Sequence, residues 1–155
     1  RRNILQEMGA RLKLYGYVYD GYAAHINTLQ SYYDRSMELL STAVRQALFC
    51  PQRPVYGKEN DSPSGYIDPD GGCVNSLIAD GCDIRGSVKN CILFRNVRIE
   101  RGASVENCIL FKDTVVKKGA SLHSVITDKY VTVSENVILT GHERYPMVVA
   151  KGVTV

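Results

Sequence analysis

The sequence contains no run close to the eighteen or so consecutive apolar residues that a membrane-spanning helix needs, so no membrane span is expected. It also lacks a large excess of either charge: 19 Lys and Arg stand against 16 Asp and Glu, a formal net charge of +3. That is too weak for a protein that binds nucleic acid by massed phosphate neutralisation, and neither end carries a basic arm. Arg1 and Arg2 lead into a mixed, polar stretch rather than an apolar core, so no secretory leader is expected. The five cysteines include no C-x-x-C pair, which argues against a zinc ribbon or a disulfide scaffold, and the simplest compartment is the reducing cytoplasm. Tryptophan is absent while tyrosine counts 10. Most of the tyrosines lie in the first third, and most of the 13 glycines lie beyond residue 56.

That uneven distribution divides the chain. From Asn27 to Phe49 there is no Gly or Pro, and Leu29, Tyr32, Tyr33, Ser36, Met37, Leu40, Val44 and Leu48 recur at three- and four-residue steps. The spacing predicts an amphipathic helix, with Asn27 or Thr28 as its N-cap and Pro51 beyond its end. Residues 10–18 partly alternate and read as a strand. Residues 50–72 hold Pro51, Pro54, Pro63, Pro69, Gly57, Gly65, Gly71 and Gly72, the composition of an extended linker. The expected organisation is a strand-plus-helix segment over 1–49, a linker over 50–72 and a repeat domain over 73–155. The first residue is not methionine, and a piece from the C-terminal part of a larger protein is expected.

The repeat is the strongest feature. Val88-Lys-Asn-Cys-Ile-Leu-Phe94 recurs as Val105-Glu-Asn-Cys-Ile-Leu-Phe111, 17 residues on, and more loosely as Leu122-His-Ser-Val-Ile-Thr-Asp128. An earlier copy, Cys73–Ile78, sits at a spacing of 15, which implies a shorter turn. Val88, Leu93, Ile99, Val105, Leu110, Val116 and Leu122 mark apolar positions five or six residues apart. A second inward set is expected at Ile92, Val97, Ala103, Ile109, Ala120 and Ile126. Short strand-like runs at near-hexapeptide intervals, three to a coil, specify a mainly β chain coiled as a parallel β-helix of triangular section. Gly102, Gly119 and Asn136 share one register and suit a left-handed corner. Asn75, Asn90, Asn107 and Ser124 form a polar ladder. Cys91 and Cys108 stack with Val125, as packing thiols rather than a redox pair.

These hexads resemble the left-handed parallel β-helix of the hexapeptide-repeat superfamily, and the handedness comes from that resemblance. The order of strand, helix, linker and hexads is more specific. With Ser31-Tyr-Tyr-Asp-Arg-Ser-Met-Glu-Leu-Leu40 ahead of it, the stretch Asn75–Asn107 is similar to the C-terminal domain of bacterial ADP-glucose pyrophosphorylase (glucose-1-phosphate adenylyltransferase). Catalytic subunits of that family carry a Trp–x–Asp–(Val/Ile)–Gly–Thr pattern before this helix, and its Asp helps to hold Mg²⁺. Aligned on Tyr32-Tyr33, the Trp is replaced here by Ala23, the Asp by His25 and the Gly by Asn27. Imidazole is a poor ligand for Mg²⁺, so His25 marks a degenerate active-site position, and the chain resembles the non-catalytic D-type subunit of the family.

The resemblance implies a role in assembly and regulation within a complex that makes ADP-glucose and pyrophosphate from ATP and glucose 1-phosphate. The implied partners are a catalytic pyrophosphorylase subunit and other β-helices, with Mg²⁺ needed by the full complex and no cofactor or metal in this chain. A catalytic subunit that has lost its nucleotide domain is a second reading, and a hexapeptide acyltransferase is a third. His123 and His142 are the remaining histidines, but no long inserted loop interrupts the coils to carry an acyltransferase base.

Arg95, Lys112 and Lys129 lie 17 residues apart and should stack on one face, where an anion would relieve their repulsion. The family's phosphorylated effectors would suit such a column, and Lys151 resembles an effector lysine of its plant members. Arg98, Arg101, Lys117 and Lys118 extend the positive surface, diluted by Glu100, Glu106 and Asp113.

Overall fold

The computed structural model describes residues 8–9, 11–57 and 61–155. Its first regular element is α1 (Leu29–Met37), and Thr28 explains where it starts. The Thr28 backbone is extended, its hydroxyl accepts from the Ser31 amide at 3.0 Å, and the Ser31 hydroxyl accepts from the Thr28 amide at 2.9 Å. Two amide donors that a helix start would leave without a partner are thereby satisfied. A 3₁₀ turn (Glu38–Leu40) follows, and Ser41 then takes an extended conformation before α2 (Thr42–Leu48). The continuous helix predicted over 27–49 is therefore broken at Ser41. The break is stabilised by Arg45, whose Nη1 donates to the carbonyls of Leu39 (2.7 Å) and Leu40 (2.8 Å).

Among the described residues of the strand expected over 10–18, no strand forms; Ala10 lies outside them. Tyr15, Tyr17 and Val18 are more than 80% exposed. Alternation alone does not hold a strand: its amides and carbonyls need a neighbour, and none of the described residues forms a strand alongside.

From Tyr66 onward the chain makes five successive passes of three short strands. They are β1 (Tyr66–Ile67), β2 (Gly72–Val74) and β3 (Leu77–Ile78); β4 (Asp83–Ile84), β5 (Ser87–Lys89) and β6 (Ile92–Leu93); β7 (Arg98–Ile99), β8 (Ser104–Glu106) and β9 (Ile109–Leu110). The last two passes are β10 (Val115–Val116), β11 (Ser121–His123) and β12 (Val125–Thr127), then β13 (Thr132–Val133), β14 (Ile138–Thr140) and β15 (Met147–Val149). Each strand pairs in parallel with its counterpart in the next pass, giving three five-stranded sheets, β1-β4-β7-β10-β13, β2-β5-β8-β11-β14 and β3-β6-β9-β12-β15. The solenoid thus begins inside the span expected to be linker.

The register follows the 17-residue repeat, as in Val88↔Val105↔Leu122 and Ile99↔Val116↔Val133. The 15-residue copy is explained by one corner: Arg85-Gly86 joins β4 to β5, where Glu100–Ala103 joins β7 to β8.

Three columns of left-handed residues turn the corners. Gly102, Gly119 and Asn136 have φ of 75°, 72° and 58°. Asn75, Asn90, Asn107 and Ser124 lie between 44° and 53°, and their side chains form the ladder: Asn75 Nδ2 donates to Asn90 Oδ1 (2.8 Å) and Asn90 Nδ2 to Asn107 Oδ1 (3.2 Å). The third column, Gly81, Asn96, Asp113, Tyr130 and Gly152, includes a tyrosine at φ 62°. For L-residues this region costs roughly 1–2 kcal/mol each, which Asn and Asp offset best through local hydrogen bonds.

The marked apolar positions Val88, Leu93, Ile99, Val105, Leu110, Val116 and Leu122 all lie inside the solenoid, at most 1% exposed. The second inward set is only half right. Val97, Ala103 and Ala120 point inward, but Ile92, Ile109 and Ile126 point out of the third sheet. Period-two alternation accounts for this: with Leu93 and Leu110 inside, their neighbours must face out, and Cys91, Cys108 and Val125 fill the inner corner instead.

The outward isoleucines are covered by α1. Tyr32, Tyr33, Met37 and Phe111 pack against them, and the Tyr33 hydroxyl donates to the Asn107 carbonyl at 2.7 Å. Cys91 and Cys108 are fully buried, and their thiols donate to the Lys89 and Glu106 carbonyls at 3.0 Å. Burial pushes the Cys108 thiol well up, the environment of an inert packing residue.

Candidate functional site

The corner between the third and first sheets positions the cations. Ladder hydrogen bonds run from Asp113 N to Arg95 O (3.0 Å), Tyr130 N to Lys112 O (3.1 Å) and Gly152 N to Lys129 O (2.9 Å). Arg95, Lys112 and Lys129 therefore occupy equivalent places in successive passes. Lys151, just before Gly152, is the fourth member of the same column. Sequence spacing hides this because the last pass is longer. Val125 pairs with Met147, 22 residues away, and the extra residues form a turn closed by His142 and Tyr145. A short excursion does interrupt the coils, then, and it carries His142, whose Nδ1 accepts from the Arg144 amide at 3.1 Å.

Tyr130 lies between two of the cations. The Lys112 Nζ stands 4.9 Å from its ring centroid and the Lys151 Nζ 5.8 Å, both within cation–π range. The Tyr130 side chain pushes the Lys112 ammonium above its ordinary value, with Asp113 adding to the effect from 3.6 Å.

Beside the column lies an open cleft of about 460 Å³, lined by Arg95, Lys112, Lys129, Phe94, Phe111 and Ala79, with Gly57 at its edge. Phe94 and Phe111 meet at 4.7 Å between ring centroids, and Phe111 stacks at 6.4 Å on Tyr32 of α1. The cleft thus combines an apolar floor with three basic side chains, a chemistry suited to a small organic anion.

The structure brings together Arg95, Lys112, Lys129 and Lys151. It leaves His25 exposed in the irregular segment before α1 and outside the cleft lining. His123 lies elsewhere, at the end of the asparagine ladder, 3.4 Å from Asn107 Nδ2. Sequence reasoning missed Tyr130 and the two phenylalanines. The recurrence of Phe94 and Phe111 in the repeat was the available signal for the rings, and nothing in the sequence pointed to Tyr130 at a left-handed corner.

A family model described as "GlmU-like, C-terminal hexapeptide" matches residues 65–155, from the start of the solenoid to Val155. The chain belongs to this hexapeptide family. Over 148 residues, 96% of the chain, it is 43% identical to the glycogen biosynthesis protein GlgD of Bacillus subtilis strain 168, covering 43% of that protein. It is 46% identical over 68 residues, 44% of the chain, to the GlgD of Geobacillus stearothermophilus, covering 20% of it. It is 36% identical over 90 residues, 58% of the chain, to the glucose-1-phosphate adenylyltransferase of Acetivibrio thermocellus, covering 21% of it. The chain spans less than half the length of each. The similarity to the Bacillus subtilis protein extends beyond the hexapeptide repeats into the segment that holds α1 and α2.

Proposed function

We propose that the chain is the assembly and effector-responding part of a GlgD-type subunit in a glucose-1-phosphate adenylyltransferase complex of glycogen biosynthesis. The observation that carries this reading is the 43% identity to a GlgD protein over 96% of the chain. Residues 1–49 are then the tail of a nucleotidyltransferase domain, and α1 is where that domain seats on the solenoid.

The donor set does not fit the Mg²⁺ that the family's chemistry implies. Among the described residues no group of three or more His, Cys, Asp or Glu gathers to hold a metal ion, and His25 stands where the catalytic subunits place a carboxylate. The chain by itself transfers no nucleotide, and the catalytic subunit supplies that chemistry. No helix among the described residues is long and apolar enough to cross a membrane, and the setting we propose is the cytoplasm.

Within the complex, Arg95, Lys112, Lys129 and Lys151 receive a phosphorylated metabolite, and the aromatic floor passes its binding to α1 through Phe111 and Tyr32. The test is charge reversal, Lys112→Glu, in the full subunit reconstituted with its catalytic partner. Effector activation falls while the mass of the complex, measured by light scattering, is unchanged. Unaltered activation refutes the effector role, and loss of the complex refutes the separation of effector binding from assembly.

A further inference from the structure

A second cationic cleft, of about 400 Å³, lies on the outer face of the first sheet, and its lining includes Asp83, Arg85, Arg98, Glu100, Arg101 and Lys118. The parallel register fixes the arrangement: Asp83 pairs with Arg98 and Arg98 with Val115, so the charged side chains project from neighbouring strands about 4.8 Å apart.

The acids here are already engaged. Asp83 accepts two bonds from Arg85 Nε and a third from Arg85 Nη2 at 2.9 Å. Asp68, only 6% exposed, accepts from Arg101 Nη2 at 2.9 Å. The Glu100 carboxylate accepts from the Lys118 backbone amide at 2.9 Å, which leaves the Lys118 ammonium uninvolved. Arg98 and Lys118 make no ion pair with Asp or Glu within 4.0 Å among the described residues. Four cations and two carboxylates line the cleft, with Asp68 and Asp70 (4.0 Å) standing against Arg101 from beside it, so the charge left without a partner acid is that of Arg98 and Lys118. Two of the guanidinium groups are held in place and keep further N–H donors.

We infer that this cleft is a binding site for a small anion bearing two phosphate-type groups, centred on Arg98 and Lys118 and flanked by the anchored forks of Arg85 and Arg101. Planar guanidinium donors fixed in advance match phosphate oxygens and lose little freedom on binding. The site stands apart from the Lys112 column and does not rest on the effector reading.

The experiment is an NMR titration of ¹⁵N-labelled chain with inorganic pyrophosphate and, separately, inorganic phosphate, at about 150 mM salt to screen loose surface binding. Pyrophosphate is expected to give saturable shifts at the amides of Glu100, Arg101, Lys117 and Lys118, and to bind more tightly than phosphate. The double variant Arg98→Ala/Lys118→Ala weakens this binding at least tenfold, while Lys112→Glu leaves it unchanged. Both substituted side chains are exposed, and an unaltered urea midpoint confirms that the double variant folds. The absence of saturation by about 10 mM pyrophosphate overturns the inference. So does binding that survives the double variant, or shifts that centre on Arg95, Lys112 and Lys129 instead.

Discussion

Gly86 has no room for a side chain. A Cβ there would press on the Ala103 carbonyl and stand 2.7 Å from the Glu100 carbonyl, both backbone atoms of the next pass. Gly102 differs: it needs a left-handed φ of 75°, but the nearest atom to an added Cβ is 3.8 Å away. Gly86→Ala should therefore destabilise the solenoid by more than about 2 kcal/mol, and Gly102→Ala by only about 1 kcal/mol. Urea unfolding of the two variants checks this order, and equal losses contradict it. Asp68 gives a pH prediction. The Arg101 guanidinium holds its carboxyl below the ordinary carboxylate range. The resulting stability is fully present above about pH 5, where the unfolded-state carboxyl is ionised, and is lost as pH falls through the lower folded-state value. Asp68→Asn should flatten that acid limb while leaving the slope above pH 5 unchanged, as read by thermal unfolding across pH.

The contact between α1 and the third sheet decides how the helical segment reports on the solenoid. Tyr33 is 4% exposed, packs on Ile109 and Ile126, and bonds the Asn107 carbonyl. Tyr33→Phe should cost about 1 kcal/mol, and Tyr33→Ala roughly 3–5 kcal/mol of the helix contact. Hydrogen exchange reads the consequence: amides of Leu29–Met37 lose protection in Tyr33→Ala while those of Ile109 and Leu110 keep theirs. Equal loss in both elements refutes a separable helix.

Five- and six-residue steps identified the inner face from Val88 to Leu122, because a closed solenoid admits apolar residues there and little else. Glycine and asparagine columns identified two corners, because few other residues accept a left-handed backbone. Ile92, Ile109 and Ile126 were misassigned because an outward residue that a helix will cover is as apolar as an inward one. The strand expected over 10–18 failed because a partner strand is a tertiary fact. The cation column was visible as a 17-residue spacing, whereas the place of Lys151 in it depends on the longer last pass.

At the scale of the whole molecule, the solenoid is a rigid stack offering distinct surfaces: the third sheet seats α1, and the adjoining corner carries Arg95, Lys112, Lys129 and Lys151. On the proposed function, the chain belongs to a subunit that assembles and regulates without catalysing. The direct measurement is pyrophosphorolysis of ADP-glucose by the full-length parent protein in the presence of Mg²⁺, assayed alone and then with the catalytic subunit. No turnover is expected alone, and altered turnover and effector response once the two are mixed. Robust turnover by the parent protein alone would refute the non-catalytic role.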